Sequence, residues 1–379
     1  MRSKQVGVIG GGQLAWMMAA EASKLDIKLV VQTPNQDDPA VSRADEAIFA
    51  EIDDFEGTVK LAQYSDVVTF ENEFVDLKAL HEVEKYGGSA HFCPSLVTLK
   101  PLLDKYHQRS YLKDIGVPVP KFSLYPTKEQ IEFNYGFPVV LKARRHGYDG
   151  QGTFIVRDAE DLAWLEKTVP VQELLVEEFI PFDLELGIIA ARNALGDIAL
   201  YPVTETYQKN QVCHWTITPA HVADQVAAEV EAIARKILDK LEVVGVFGIE
   251  FFLTKDNRVL VNEIAPRTHN SGHYTLDGCE TSQFAMQLQA VTGMSLGSTA
   301  LKSAGAVMVN LLGFEESESD YPEKRDRILQ ISHSFLHWYG KTSHPGRKLG
   351  HVTVILNREQ LSQAKSIIEQ IESIWYGDQ

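Results

Sequence analysis

Val246-Phe247-Gly248-Ile249-Glu250-Phe251-Phe252-Leu253, the turn pair Asp256-Asn257 and the return Val259-Leu260-Val261-Asn262-Glu263-Ile264 read together as a β-hairpin. Asp256-Asn257 as a two-residue loop sets Glu250 opposite Glu263. Directly opposed side chains have Cβ atoms roughly 5 Å apart, and like charges there destabilise the pair. At an effective dielectric of about 20, two unit charges about 4 Å apart repel by about 4 kcal/mol. A divalent cation reverses that sign, and Mg²⁺ takes carboxylate oxygens while completing its octahedron with water and phosphate oxygens. A longer loop would shift the register and leave two solvated acids. The flanking runs are too apolar to lie at the surface, which favours the opposed pair.

The chain has 379 residues, 44% of them hydrophobic, enough for two or three domains around a sizeable core. Its 36 basic and 52 acidic residues leave a net charge of −16, which argues against nonspecific binding to nucleic acid or to an anionic membrane. Local basic clusters for small anions remain compatible with that charge. Cys93, Cys213 and Cys279 are far apart and lack CxxC spacing, so neither a disulfide framework nor a zinc knuckle is expected, and a reducing, cytoplasmic setting fits. No apolar signal core and no run of about 18 apolar residues occurs, so neither export nor a membrane span is expected.

Val6-Gly7-Val8-Ile9, a tight turn at Gly10-Gly11-Gly12, a helix from Gln13 to Lys24 and a strand from Ile27 to Gln32 make a βαβ start. With a further strand at Asp66 to Phe70, the first hundred residues read as an open α/β sheet. Pro94, Pro101, Pro118 and Pro120 punctuate the exit into a β-rich unit, interrupted by an amphipathic helix from Asp224 to Leu241. After about residue 300, strands at Ala306 to Leu312, Leu336 to Gly340 and Gly350 to Leu356 and a helix from Arg358 to Trp375 predict a smaller C-terminal unit. The fold class is α/β, with α+β character in the middle part.

Several stretches carry chemistry. Gly10-Gly11-Gly12-Gln13-Leu14-Ala15 matches a loose dinucleotide fingerprint, but the acid wanted at the end of the second strand is replaced by Gln32-Thr33-Pro34. The glycines then let a helix N-terminus approach an anion, or form a plain packing turn. Glu71-Asn72-Glu73 follows a strand, where ligands of open sheets gather or acids are merely solvated. His146-Gly147-Tyr148-Asp149-Gly150-Gln151-Gly152 joins two strands like a phosphate cover, and Lys142 precedes it in a strand apolar enough to require an anion or an escape to solvent. Glu177 and Glu178 end a strand, with Glu185 beyond, where a nucleoside could lie. The stretch Asn262 to His273 is the densest polar segment; Arg267 could neutralise a phosphoryl group and His273 position a substrate. Lys341, His344, Arg347 and Lys348 form a basic cluster suited to a phosphate monoester, or a solvated turn.

In this order the lysines, the glycine loop, the Glu177-Glu178-Phe179-Ile180 strand end and the Glu250/Asn262/Glu263 hairpin make the chain resemble the ATP-grasp enzymes. Gly10 to Leu14, Glu71-Asn72-Glu73, Gly147 to Gly150, Asn262 to Arg267, His269 to His273, Tyr339 to Lys341 and Gly346 to His351 narrow the resemblance to the 5-(carboxyamino)imidazole ribonucleotide synthase family. It implies a pre-ATP-grasp domain over 1–103, an ATP-grasp domain over 104–298 with a lid roughly at 121–178, and a C-terminal domain over 299–379. The implied reaction, a step of purine biosynthesis, joins 5-aminoimidazole ribonucleotide and bicarbonate at the cost of ATP through carboxyphosphate. No Ser, Cys or His nucleophile is nominated, since positioning and charge neutralisation carry phosphoryl transfer.

The resemblance further implies that Lys105 and Lys142 hold the nucleotide phosphates and that Tyr148 and Gly150 also bind the nucleotide. Glu177 and Glu178 would lie on the adenine side, Glu185 at the ribose, and Glu250 and Glu263, with Asn262 beside them, at Mg²⁺ or Mn²⁺. Gln13, Leu14, Glu71, Asn72 and Glu73 from the first domain, and Tyr148, Asp149, His273, Lys341, Arg347 and Lys348 from the later ones, would surround the ribonucleotide. Asp149, Arg267, His273 and Lys341 would act in catalysis, and the assembly would be a homodimer. Two departures stand out: Gln151 replaces a basic residue usual in the family, passing any guidance of bicarbonate to Arg144, Arg145 or Arg267, and Gln208 replaces a common histidine. Three rivals remain open at this point: another ATP-grasp ligase of the glycinamide ribonucleotide transformylase or biotin carboxylase type, an NAD-dependent oxidoreductase, and a catalytically silent nucleotide-binding regulator.

Overall fold

The computed structural model of the protein describes residues 3–88, 90–145 and 152–377. The first hundred residues build a parallel sheet in the order Glu46–Phe49, Ile27–Thr33, Lys4–Ile9, Val67–Phe70, His91–Phe92. Alternate residues of one strand feed two cores: Val6 and Val8 pack with Leu14 and Met18 of the helix Gln13–Ala22, while Ile9 joins Leu61, Leu80 and Val83 of the helices Phe55–Tyr64 and Leu77–Tyr86. Burial on both faces is what a parallel sheet requires, and it explains the near-continuous apolar runs.

The predicted hairpin lies at one edge of a large antiparallel sheet ordered Val259–Ala265, Gly245–Thr254, Phe182–Arg192, Thr204–Lys209, Val212–Thr218, Gly305–Leu312, Lys348–Leu356, Ser334–Trp338. The helix Asp224–Leu241 covers it, burying Val226, Val230, Ile233, Ile237 and Leu241 against Phe247, Ile249, Phe251, Val259, Val261 and Ile264. Full burial of each such side chain contributes about 1.5–3 kcal/mol of gross stabilisation.

Glu250 does face Glu263, but not by the expected loop. Thr254 and Arg258 close a three-residue loop, Lys255-Asp256-Asn257, with Asn257 left-handed at φ 61°, which alone would shift the pairing by one. A bulge between the Glu250 and Phe251 pairs shifts it back, leaving Asn262 as the extra residue. The strand therefore buries Val259 and Val261, then Ile264, and Asn262 and Glu263 both turn to the opposite face.

The C-terminal strands share the sheet that carries the hairpin: Gly305–Leu312 pairs with Val212–Thr218, so they prolong it. Pairing satisfies a ladder that Val212–Thr218 would otherwise expose, and local sequence holds no record of which edge a strand joins. The last helix begins at Ala364, later than expected, after a 3₁₀ turn at Gln360–Gln363, and seals this end with Ile368, Ile371 and Trp375. A separate four-stranded sheet, ordered Phe122–Leu124, Leu174–Glu178, Val139–Ala143, Thr153–Val156, has its own small core around Leu141, Val156, Leu162 and Val176. Among the described residues no helix is long and apolar enough to cross a membrane.

Candidate active site

The two hairpin acids head a charged cleft. Burial, and then Glu263, push the Glu250 carboxyl up to about 7, the cost foreseen for opposed acids. Two neutral donors hold Glu250 in place, Gln208 Nε2 at 3.3 Å from Oε1 and Asn262 Nδ2 at 3.4 Å from Oε2, and His269 Nε2 stands 3.7 Å from Oε1. His269 stays uncharged because burial, reinforced by Arg267, lowers it to about 4. Glu263 pairs with Lys105 Nζ at 2.5 Å; burial raises its carboxyl, but Lys105 outweighs that and the net shift is downward. Glu185, across the sheet, is pushed up to about 8 by burial and then by Glu250. Three acids converge here, and although Lys105, Lys142 and Lys348 act on Glu250, burial and Glu263 still hold its carboxyl raised.

Lys105 opens the helix Lys105–Asp114, capped by the Asp104 side chain, which accepts from Tyr106 N and His107 N. Lys142 comes from the small sheet and reaches Glu177 at 2.8 Å and Asn262 Oδ1 at 3.0 Å. Glu177 is thereby taken from the expected adenine side: its carboxylate, 2% exposed, lies between Lys142 and Arg109, the latter at 2.5 Å. Burial raises that carboxyl, but the two cations dominate and hold it at about 2. The Arg109 guanidinium also donates to the Asn262 carbonyl oxygen. Sequence reading missed Arg109, although its i,i+4 spacing from Lys105 puts both on one helix face. Glu178 is the more exposed neighbour, accepting from Lys121 N at 2.8 Å.

The N-terminal triad has internal partners. Glu71 accepts from the backbone N–H groups of Gly12 at 2.7 Å, Leu14 at 3.0 Å and Ala15 at 3.4 Å. An anion does sit at this helix N-terminus, and it is the protein's own Glu71 carboxylate. A Cβ at Gly10 or Gly12 would come within 2.5 Å of the Glu71 carboxylate, which is why glycine stands there. Asn72 accepts from Phe74 N at 3.0 Å in a local turn, and the Leu14 side chain is buried in the core. Glu73 grips Arg267 through Nε at 2.5 Å and Nη2 at 3.3 Å, and this pairing outweighs burial to raise the guanidinium pKa. Of the cations left to replace the one missing at Gln151, Arg144 is clamped by Asp104 at 2.7 Å and Arg145 lies 3.6 Å from the same acid.

At the other end of the cleft, Lys341 Nζ donates to Gln13 Oε1 at 2.9 Å, joining residues from opposite ends of the chain. Lys348 acts electrostatically on Lys341, His273, His269 and Glu250, so the basic end and the acidic end meet around it. Arg347 donates to the Thr342 carbonyl oxygen at 3.0 Å, and His344 is exposed. His273 has no exposed surface and packs on His351 and Phe284 with ring centroids 4.9 and 5.8 Å away. Burial, then Lys348, depress it well below an ordinary imidazole, so it is neutral. The expectations for Tyr148, Asp149, Gly150 and Gln151 lie outside the described residues.

The chain matches the ribonucleotide synthetase preATP-grasp domain over residues 3–98, the ATP-grasp domain over 110–284 and the phosphoribosylaminoimidazole carboxylase C-terminal domain over 306–365. It is 51% identical to an N5-carboxyaminoimidazole ribonucleotide synthase of Synechocystis, covering 98% of each chain. A crystal structure of the carboxyaminoimidazole ribonucleotide synthase of Aspergillus clavatus complexed with ATP superposes with a TM-score of 0.91 at 30% identity over 99% of both chains. The same enzyme with ADP and 5-aminoimidazole ribonucleotide superposes with a TM-score of 0.90 at 29% identity, again over 99% of both chains. Likeness of this order, end to end in sequence and in fold, has one consequence: the chain belongs to the N5-carboxyaminoimidazole ribonucleotide synthase family of ATP-grasp ligases.

Proposed function

We infer that the protein carboxylates 5-aminoimidazole ribonucleotide with bicarbonate, consuming ATP and releasing ADP and phosphate, in purine biosynthesis. The observation that carries this reading is the charged cluster in which Lys105 pairs with Glu263 opposite Glu250 and Lys142 reaches Asn262 on the same hairpin, with Lys348 acting electrostatically both on Glu250 and on Lys341 of the basic cluster. Such a cluster supports neighbouring positions for a nucleotide triphosphate and a phosphate monoester, as transfer of a carboxyl group from one activated molecule to another requires.

The donor set fits a divalent cation. Among the described residues no group of three or more His, Cys, Asp or Glu could hold a metal alone, but Mg²⁺ is commonly bound by one or two carboxylates with phosphate oxygens and water. Glu250, Glu263 and Asn262 would hold Mg²⁺ or Mn²⁺, and the ion would neutralise charge developing on the transferred phosphoryl group. Lys105 and Lys142 bind and orient the nucleotide phosphates. A bicarbonate oxygen attacks the γ-phosphorus, the bond to the β-bridging oxygen breaks, and carboxyphosphate forms with ADP leaving. The exocyclic amine then takes the carboxyl carbon, phosphate departs and the amine loses a proton. The four-stranded unit from Phe122 to Glu178 would be the lid that keeps water from carboxyphosphate. Residues 1–103, 104–298 and 299–379 are the proposed functional divisions. The protein would work in the cytoplasm, which its acidic charge and scattered cysteines support, and as a homodimer, supported by the family resemblance.

ADP release measured with each component omitted in turn tests the assignment. Release should require ATP, the ribonucleotide and bicarbonate together; equal release with formate in place of bicarbonate, or without the ribonucleotide, would overturn it.

A pH dependence follows from Lys341. Burial lowers its ammonium pKa to about 8, with Glu71 opposing and Arg347 assisting. The charged form needed at a phosphate is present below about 8 and lost above it, so kcat/KM for the ribonucleotide should fall as pH rises through about 8 while kcat/KM for ATP changes far less. Lys341→Arg, whose guanidinium stays charged, should flatten that limb. An unchanged limb would remove Lys341 from the phosphate site.

A further inference from the structure

We propose that Gln283 fixes the tautomer of His273, so that this imidazole acts as a hydrogen-bond donor through Nε2 and not as a base. Gln283 opens the helix Gln283–Thr292 and is completely buried. Its Oε1 accepts from His269 N at 2.9 Å and its Nε2 donates to the His269 carbonyl oxygen at 2.7 Å. A backbone N–H only donates and a carbonyl only accepts, so these two bonds leave the amide a single orientation. The remaining hydrogen of Nε2 points to His273 Nδ1 across a long 3.4 Å contact. A proton on Nδ1 would set N–H against N–H. The neutral ring therefore carries its proton on Nε2, and Gln283 is a positioning residue for it.

His273 Nε2 is buried and has no hydrogen-bond partner among the described residues, an orphaned donor in a place where such groups are seldom left unpaired. The acceptor it awaits is assigned from the proposed function, on which this step rests: an acceptor atom of the aminoimidazole, or the carboxylate formed on its amine. Lys348 acts electrostatically on His273 and on Lys341 alike, so the imidazole and the basic cluster share one neighbourhood.

The tautomer is read directly by two-bond ¹⁵N–¹H correlation spectra of enzyme labelled with [¹⁵N]histidine, the His273 signals being identified by their loss in His273→Gln. The wild type should show the Nε2–H pattern unchanged between pH 6 and 8; an Nδ1–H or imidazolium pattern overturns the inference whatever any variant does. Gln283→Glu keeps the size and the acceptor toward His269 N, gives up the bond to the His269 carbonyl oxygen and presents an oxygen to Nδ1. It should move the proton to Nδ1 and lower kcat on the order of 10²-fold, with KM for ATP within about twofold. An unmoved proton in Gln283→Glu also overturns the positioning role. A moved proton with full turnover and an unaltered KM for the ribonucleotide would leave the tautomer standing and remove His273 from the substrate, a failure of the placement rather than of the network.

Discussion

Glu263→Gln should lower kcat by roughly 10³-fold or more, with the fold intact. Glutamine keeps the shape of the side chain but removes the negative charge that a divalent cation would bind. Two effects on stability oppose each other: repulsion from Glu250 is relieved, and Lys105 loses its 2.5 Å partner. The net change in unfolding free energy should stay within about 1 kcal/mol. Steady-state ADP release and urea unfolding separate the two quantities. Retention of most activity would take Glu263 out of the metal site, and loss of the folded state would make it a structural residue instead. The release of Glu250 from its neighbour should accompany the loss of turnover, since the strain between the acids is what cation binding relieves.

Glu177→Gln should be the most destabilising single change at the site, by about 3–5 kcal/mol, because it removes the one acid between two buried cations, Arg109 and Lys142. The sign of the pH dependence follows from the lowered pKa. Glu177 titrates near 2 in the fold against an ordinary value of 4.5, so its contribution is complete above about 4.5 and disappears as pH falls toward 2. The gap in stability between wild type and variant should therefore be widest near neutrality and close in acid. Since Lys142 is held in place by Glu177, the variant should also bind ATP more weakly. Saturating Mg·ATP should restore part of the lost stability through the anionic phosphates, as expected for a ligand that binds only the folded form. A loss below about 1 kcal/mol would mean that the cations find other partners or water, and that the trio is not the anchor of Lys142.

The helix Asp224–Leu241 and the parallel strands of the first domain were legible because their patterns are local: a 3.6-residue apolar period and short apolar runs between glycine-rich turns. The opposition of Glu250 and Glu263 was legible for a less secure reason. The loop holds one residue more than the turn pair implies, and the bulge at Asn262 returns the register. Only the net result was inferred correctly, and the bulge also brings Asn262 to the cleft beside Glu263.

Glu71 shows where such reading fails. An acid after a strand looks available to a ligand, yet the N–H groups of Gly12, Leu14 and Ala15 claim it from nearly sixty residues away. Glu73 and Arg267, both expected at the site, are each other's partners. Glu177 and Arg109 meet in the same manner, and the rings of His351 and Phe284 pack on the buried His273.

The amino-acid sequence by itself determined the residue types, their order and their local periods, and hence the elements, the class of fold and the paired acids of the hairpin. Tertiary structure alone decided which charge neutralises which, that the C-terminal strands prolong the central sheet, and which polar side chains are hidden. The physical reason is that hydrogen bonds, ion pairs and burial are settled by atoms a few ångströms apart in space, whatever their separation along the chain, whereas a sequence pattern reports only on its immediate neighbours.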